Sequence, residues 1–317
     1  MKAPSFDDVL AARERIAPHL SPTPLYAWPQ LSELVGTEVW VKHENHQPVG
    51  AFKVRGGVNL VSQLSEDERQ SGLIAASTGN HGQSIAFAAK RFGARAIICV
   101  PEGANPLKVS AIEALGAEIV TEGRDFDDAR EHCERLAEEH GYRYVHSGDE
   151  PHLIAGVATE TLEILEERPE TDVIVVPVGG GSGAAGACIA ARGIGGSARV
   201  IAVQSEAAPA AFHAWKNRNL EADQMRTVAE GLATRVPFEL PQRIMWELLE
   251  EFVLVSEDEI RTATRLMIEG TRNLVEPAGA APLAAALSLR EQLAGQRVAL
   301  VCSGGNISLD QLRTVLA

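Results

Sequence analysis

Short apolar runs rich in valine and isoleucine recur along this chain, and each is followed by a stretch with helical spacing. Leu73–Ala76, Ala96–Val100, Asp172–Pro177, Arg199–Val203 and Arg297–Cys302 hold no polar residue between their ends. A strand with one wet face alternates polar and apolar residues. Strands this apolar are covered on both faces, as in parallel sheets layered with helices. The helical stretches fall at 53–64, 80–92, 105–115, 126–140, 151–166 and 279–290. Ser5 or Asp7 caps a first helix running to about Ala17, and Ser21–Leu25 forms a proline-stiffened extended connection. With 317 residues there is room for two such units. The expected fold is α/β, with two open twisted parallel-sheet domains. Residues 72–149 form the smaller domain, and 1–71 together with 150–317 form the larger. A ligand belongs in the cleft between them.

Charge limits what that ligand is. Lys and Arg number 29 against 43 Asp and Glu, a net charge of −14. An anionic polymer or membrane surface needs a basic face, so neither nucleic acid nor a membrane is the expected partner. The N-terminus lacks the apolar core of a secretion signal, and no apolar run reaches the length of a membrane span. Cys99, Cys133, Cys188 and Cys302 lack the paired spacing of a zinc site or a disulfide framework, which suits a reduced, cytoplasmic protein.

In open α/β sheets the reactive groups collect beyond the carboxyl ends of the strands. Three loops occupy that position. Gly179-Gly180-Gly181-Ser182-Gly183 follows one strand and opens a helix of small residues. Its backbone N–H groups and the helix terminus make an anion cradle of phosphate type. It lacks the Lys-Ser/Thr ending of a nucleotide loop, and a tight strand-to-helix turn is the plainer alternative. Ser77-Thr78-Gly79-Asn80-His81 forms a second helix-start anion site, suited to a carboxylate, or else a simple cap. Ser303, in Cys302-Ser303-Gly304-Gly305-Asn306, offers a neutral hydroxyl at the sheet edge, or an N-cap.

One lysine completes the set. In Gly50-Ala51-Phe52-Lys53, Lys53 follows a turn and an aromatic residue and begins a helix. A lysine on its own is a solvated side chain far more often than a reactive one. Desolvated beside a phosphate cradle and a carboxylate cradle, it becomes a nucleophile or base. This is the parts list for pyridoxal phosphate holding an amino acid.

From Thr23-Pro24-Leu25 to Ser303-Gly304-Gly305-Asn306, in matching order, the chain resembles the fold type II (β-family) pyridoxal-phosphate enzymes, in the serine/threonine dehydratase and serine racemase branch. The resemblance implies the tryptophan synthase β-like fold with pyridoxal 5′-phosphate in the cleft. Lys53 would carry the cofactor as a Schiff base, with Phe52 beside the ring. Gly179, Gly180, Gly181, Ser182 and Gly183 would hold its phosphate, Asn80 its 3-hydroxyl, and Ser303 its ring nitrogen. Glu276 would lie close by; a cap for helix 279–290 is its other reading. Ser77, Thr78, Gly79, Asn80 and His81 would bind the substrate carboxylate. A serine hydroxyl is too weak an acid to keep the ring nitrogen protonated, so a long-lived carbanion is disfavoured and loss of a β-hydroxyl favoured. The implied reaction converts an L-3-hydroxy amino acid, L-threonine or L-serine, to a 2-keto acid and ammonia through an aminoacrylate. A homodimer is also implied.

Departures and rivals narrow this. Thr78 replaces the serine that acts as second base in racemases; its hydroxyl could still serve, so racemisation is disfavoured but an amino-acid racemase stays an alternative. Gln204 and Ala210 stand where some relatives bind a divalent cation, so no metal is expected, with Glu206 the one alternative ligand. Ala51 replaces a serine of many threonine dehydratases, a change that bears on substrate preference. No C-terminal regulatory domain is expected. A threo-3-hydroxyaspartate dehydratase remains an alternative and would want a cation from among His43, His46, His81 and Arg124. β-Replacement is a further rival; a non-catalytic amino-acid-binding protein and a nucleotide-dependent oxidoreductase are rivals of other classes.

Overall fold

The computed structural model describes residues 1–124 and 126–317. Ten strands form two sheets: β1 (Leu25–Ala27), β2 (Glu38–His43), β3 (Leu73–Ala76), β4 (Ala96–Val100), β5 (Glu118–Thr121), β6 (Arg143–Tyr144), β7 (Val173–Pro177), β8 (Arg199–Ser205), β9 (Glu251–Val255) and β10 (Arg297–Cys302). The larger sheet has the order β1-β2-β10-β7-β8-β9 and the smaller β5-β4-β3-β6. Every pairing is parallel except β1 with β2. The proline-stiffened connection thus ends in an antiparallel edge strand, where the Pro24 carbonyl accepts the His43 N–H at 2.9 Å.

Alternate residues of the central strands bury on opposite faces. Val173, Val175, Ile201 and Val203 pack with the helices Glu257–Thr271 and Pro277–Ser288, while Ile174, Val176, Val200 and Ala202 pack with Ser182–Gly193. This two-sided burial explains why the strands read as unbroken apolar runs. Leu73, Ala75 and Ile98 of the smaller sheet share a core with Ala12, Ile16, Val54 and Val58, so the first helix and the helix Lys53–Val61 pack on that sheet's side.

The helix Lys53–Val61 is squeezed between Asn80–Phe92 and Pro151–Val157. A Cβ at Gly57 would lie 2.4 Å from Ser84 Oγ and 2.7 Å from the Ser84 carbonyl, so only glycine allows this approach. Ser84 Oγ donates to the Lys53 carbonyl at 2.6 Å, pinning the start of the helix.

Differences from the sequence reading have local causes. Ser5, not Asp7, caps the first helix, in a reciprocal capping box with Asp8. The stretch 151–166 is two helices, Pro151–Val157 and Thr159–Glu167. The Thr159 hydroxyl takes the Gly156 carbonyl at 2.7 Å and diverts it from the helical ladder.

Beneath the Lys53 helix lies a buried charge cluster. Arg55 donates to Glu44 through Nε and Nη2, both at 2.8 Å, and to Glu163 at 2.6 and 2.7 Å. Lys42 donates to Glu163 at 2.5 Å and to the Thr23 carbonyl at 2.7 Å. These pairings tie β2, the Lys53 helix and Thr159–Glu167 together.

Candidate active site

Lys53 is the first residue of its helix, and its entry is fixed from both sides. Gly50 turns the chain with φ +68°, and the Phe52 N–H donates to the Ser303 carbonyl at 3.0 Å. The ammonium of Lys53 donates to the Ser147 carbonyl and to Ser182 Oγ, each at 2.8 Å. Burial lowers its pKa to about 8, opposed by the carboxyl of Glu160. The Phe52 ring packs on Gly183, and its centroid lies 5.4 Å from Lys53 Nζ. Lys53 is therefore tied to the glycine loop through Ser182.

That loop follows β7. Gly181 takes φ +92° at the N-cap of the helix Ser182–Gly193, with no side chain capping it. Between Gly179 and Ala185, only the Ala185 N–H finds a protein acceptor among the described residues, the Gly181 carbonyl at 2.9 Å. A row of unpaired amides thus lies beside the Lys53 amine. This is a site for an anion, and it fits a phosphate.

The Ser77–His81 loop divides its labour. Ser77 Oγ accepts the N–H groups of Gly79 at 3.2 Å and Gly82 at 2.9 Å, so this hydroxyl shapes the loop. The N–H groups of Thr78, Asn80 and His81 have no protein acceptor among the described residues and remain for a carboxylate. His81 is buried, with Nε2 3.1 Å from the Val145 carbonyl, and burial depresses its pKa to about 3. It is a neutral imidazole here.

Asn80 Nδ2 donates to Glu276 Oε1 at 2.9 Å, and Asn80 Oδ1 accepts from Asn306 Nδ2 at 2.7 Å. Glu276 occupies an N-cap position, yet its side chain makes no cap hydrogen bond and turns to Asn80 instead. Burial raises its pKa to about 7, against the lowering effect of the Asn80 bond. Ser303 is buried at the end of β10, and its hydroxyl has no protein partner among the described residues.

The remaining candidates lie elsewhere. His43 is buried, accepting the Trp28 Nε1–H at 3.0 Å, and burial lowers its pKa to about 4. His46 pairs with Asn273 at the surface, and exposed Arg124 with Asp128. Gln204 Oε1 accepts the Phe212 N–H at 3.0 Å, and Glu206 is exposed. No group of three or more His, Cys, Asp or Glu that could hold a metal ion occurs among the described residues. Sequence reasoning assigned no role to Ser147, which acts through a carbonyl every residue owns, or to Asn306, which orients Asn80.

The donor set fits pyridoxal phosphate: a free amine for its aldehyde, unpaired amides for its phosphate, an oriented amide and a neutral hydroxyl for its ring. The sequence profile described as "Pyridoxal-phosphate dependent enzyme" matches residues 16–304. Among curated relatives, an L-threonine ammonia-lyase of Thermotoga maritima is 36% identical over 313 residues, covering 98% of this chain and 78% of that one. An L-threo-3-hydroxyaspartate ammonia-lyase of Saccharomyces cerevisiae is 34% identical over 318 residues, covering 100% and 98%. Among solved structures, a serine racemase of Dictyostelium discoideum superposes with a TM-score of 0.91 at 31% identity, covering 96% of this chain and 99% of that one.

Proposed function

Because this chain belongs to the family of pyridoxal-phosphate-dependent enzymes, we propose that it is an ammonia-lyase acting on an L-3-hydroxy amino acid, L-threonine or L-serine. The products are a 2-keto acid and ammonia. The observation that carries this reading is the Lys53 amine, held 2.8 Å from Ser182 at the mouth of the glycine loop with its pKa lowered to about 8. A general base works best with a pKa near the operating pH.

When bound, pyridoxal phosphate supplies an electron sink for bond breaking at the substrate's α-carbon. The Lys53 amine would hold it covalently, the amides of residues 180–184 would bind its phosphate, and Phe52 would pack beside it. Asn80 keeps one amide hydrogen free beyond its bond to Glu276, and that hydrogen would serve the ring oxygen. Ser303 would offer the ring nitrogen a neutral hydroxyl. The N–H groups of Thr78, Asn80 and His81 hold the substrate carboxylate and orient the α-hydrogen toward Lys53. Freed when the substrate's amine takes its place, Lys53 would take that proton, and the 3-hydroxyl would leave as water once protonated. Thr78 stands in the same loop as the residue for a second proton transfer, which would give racemisation as a side reaction.

An uncharged side chain is favoured because His81 is neutral and His43, His46 and Arg124 lie elsewhere. Lys108 supports threo-3-hydroxyaspartate as a second reading. It is paired with Glu230, and its charge acts on Glu276. The four buried, unpaired cysteines fit a reducing cytoplasm. Exposed Tyr26 and Leu274, near the stacked His43–His46 pair, provide apolar surface for a homodimer. The test is ammonia and keto-acid release from L-threonine, L-serine and threo-3-hydroxyaspartate, with chiral analysis of the remaining amino acid. L-Threonine or L-serine turning over fastest supports the reading; racemisation without ammonia overturns it.

A further inference from the structure

The ring of Phe238 fills space that two neighbouring loops leave open. A Cβ at Gly148 would lie 2.3 Å from its Cδ2, and a Cβ at Gly180 would lie 2.0 Å from its Cε2. Each glycine is next to, or two residues from, a group that holds the Lys53 ammonium. Gly148 follows Ser147, whose carbonyl accepts it, and Gly180 precedes Ser182, whose hydroxyl accepts it. The ring is thus wedged between the two loops that define the space around the Lys53 amine.

The wedge is locked in place. His146 packs edge-on against Phe238, with ring centroids 4.6 Å apart at 76°. His146 Nδ1 accepts the N–H groups of Gly148 at 3.2 Å and Asp149 at 2.8 Å, which fixes the loop. Asp149 Oδ1 in turn accepts the Leu240 N–H at 2.8 Å, in the first turn of the helix Glu239–Leu248 that Phe238 caps. These contacts tie the loop to the ring. Phe238 itself remains only partly buried.

We propose that Phe238 is the wall that limits the substrate side chain, admitting the one- or two-carbon side chains of serine and threonine and excluding bulkier 3-hydroxy amino acids. The proposal rests on the ammonia-lyase reading for its substrate class. A rigid aromatic wall discriminates by size because a larger group must displace packed atoms.

The experiment compares wild type, Phe238→Ala and Phe238→Leu, all loaded with pyridoxal phosphate. Specificity constants are measured for L-threonine and for L-threo-3-phenylserine. Binding of L-2-aminobutyrate and L-phenylalanine, which carry no hydroxyl to lose, is read from the cofactor's visible absorbance. Phe238→Ala should shift both preferences toward the bulkier ligand by about tenfold or more, with Phe238→Leu intermediate. Gly148→Leu in the Phe238→Ala background refills the space from the opposite loop and should restore the preference for small ligands. Equal losses for small and bulky ligands would assign Phe238 a purely structural role and overturn the proposal. Failure of all elimination, with the binding preference still shifted, would overturn the ammonia-lyase reading but not the wall.

Discussion

Asn80 donates to Glu276 across 2.9 Å, joining the first turn of a helix on the smaller sheet to the N-cap of the helix Pro277–Ser288 on the larger. Asn306 fixes the orientation of the Asn80 amide from the other side, at 2.7 Å. The two sheets therefore meet at the candidate site through side-chain amides whose direction is set. Glu276 is held there with its pKa raised to about 7 by burial.

That shift has a stability consequence. The folded protein keeps a proton on Glu276 that the unfolded chain releases near pH 4.5, so this group's contribution falls as pH rises to about 7 and is flat above. Glu276→Gln removes the dependence while keeping an acceptor for Asn80. In urea unfolding of the cofactor-free protein, the variant should gain on the order of 3 kcal/mol over wild type at pH 8. Near pH 4.5 the difference should be small. A gain that does not grow with pH would contradict the assignment.

Lys53 must be unprotonated to attack the cofactor's aldehyde, and its pKa is lowered to about 8. The rate of cofactor loading should rise about tenfold from pH 7 to pH 9, as the free-amine fraction does. Growth of the visible absorbance after mixing follows it. A rate without a midpoint near pH 8 would mean that another step or another amine controls loading.

Removing Glu44 from the buried cluster leaves Arg55 short of the two 2.8 Å bonds that Glu44 supplies. Breaking one partner of a buried pair costs about 3–5 kcal/mol. Glu44→Gln should lose stability on that scale in urea unfolding. The residual fold should also load cofactor poorly, because Arg55 anchors the helix that Lys53 begins.

Gly181 adopts φ +92°, and a Cβ there would lie 3.0 Å from Met245 Cε and 3.1 Å from Pro241 Cβ. Gly181→Ala should weaken cofactor binding by about tenfold or more by moving the amides that face the phosphate. Gly195 also has positive φ, +75°, but nothing within 4 Å of its Cβ position. Gly195→Ala should cost about 1 kcal/mol of stability and leave cofactor affinity unchanged. Titration of both variants with pyridoxal phosphate separates the two effects.

Much of this molecule is legible in its sequence, and the reasons are physical. β4, β7 and β10 are buried on both faces, so their apolar runs stand out, and the loops after β3, β7 and β10 carry Asn80, Gly179–Gly183 and Ser303 because strand ends are where a cleft forms. Arg55, Glu44 and Glu163 are ordinary charged letters until folding brings positions 108 residues apart into one buried cluster. Ser147 contributes only a carbonyl, which no sequence pattern marks. Ser77 stands in the expected carboxylate loop, yet its hydroxyl caps Gly79 and Gly82, a choice decided by local geometry. Phe238 and Gly148 gain meaning only together, as a ring and the space it occupies.

The central claim is that the Lys53 amine drives elimination. Its most direct test is 2-keto acid release from L-threonine by wild type and by Lys53→Ala, both with pyridoxal phosphate added. The account predicts sustained release by wild type and none above background from a folded Lys53→Ala protein. Keto acid formed at a comparable rate by the variant would contradict it.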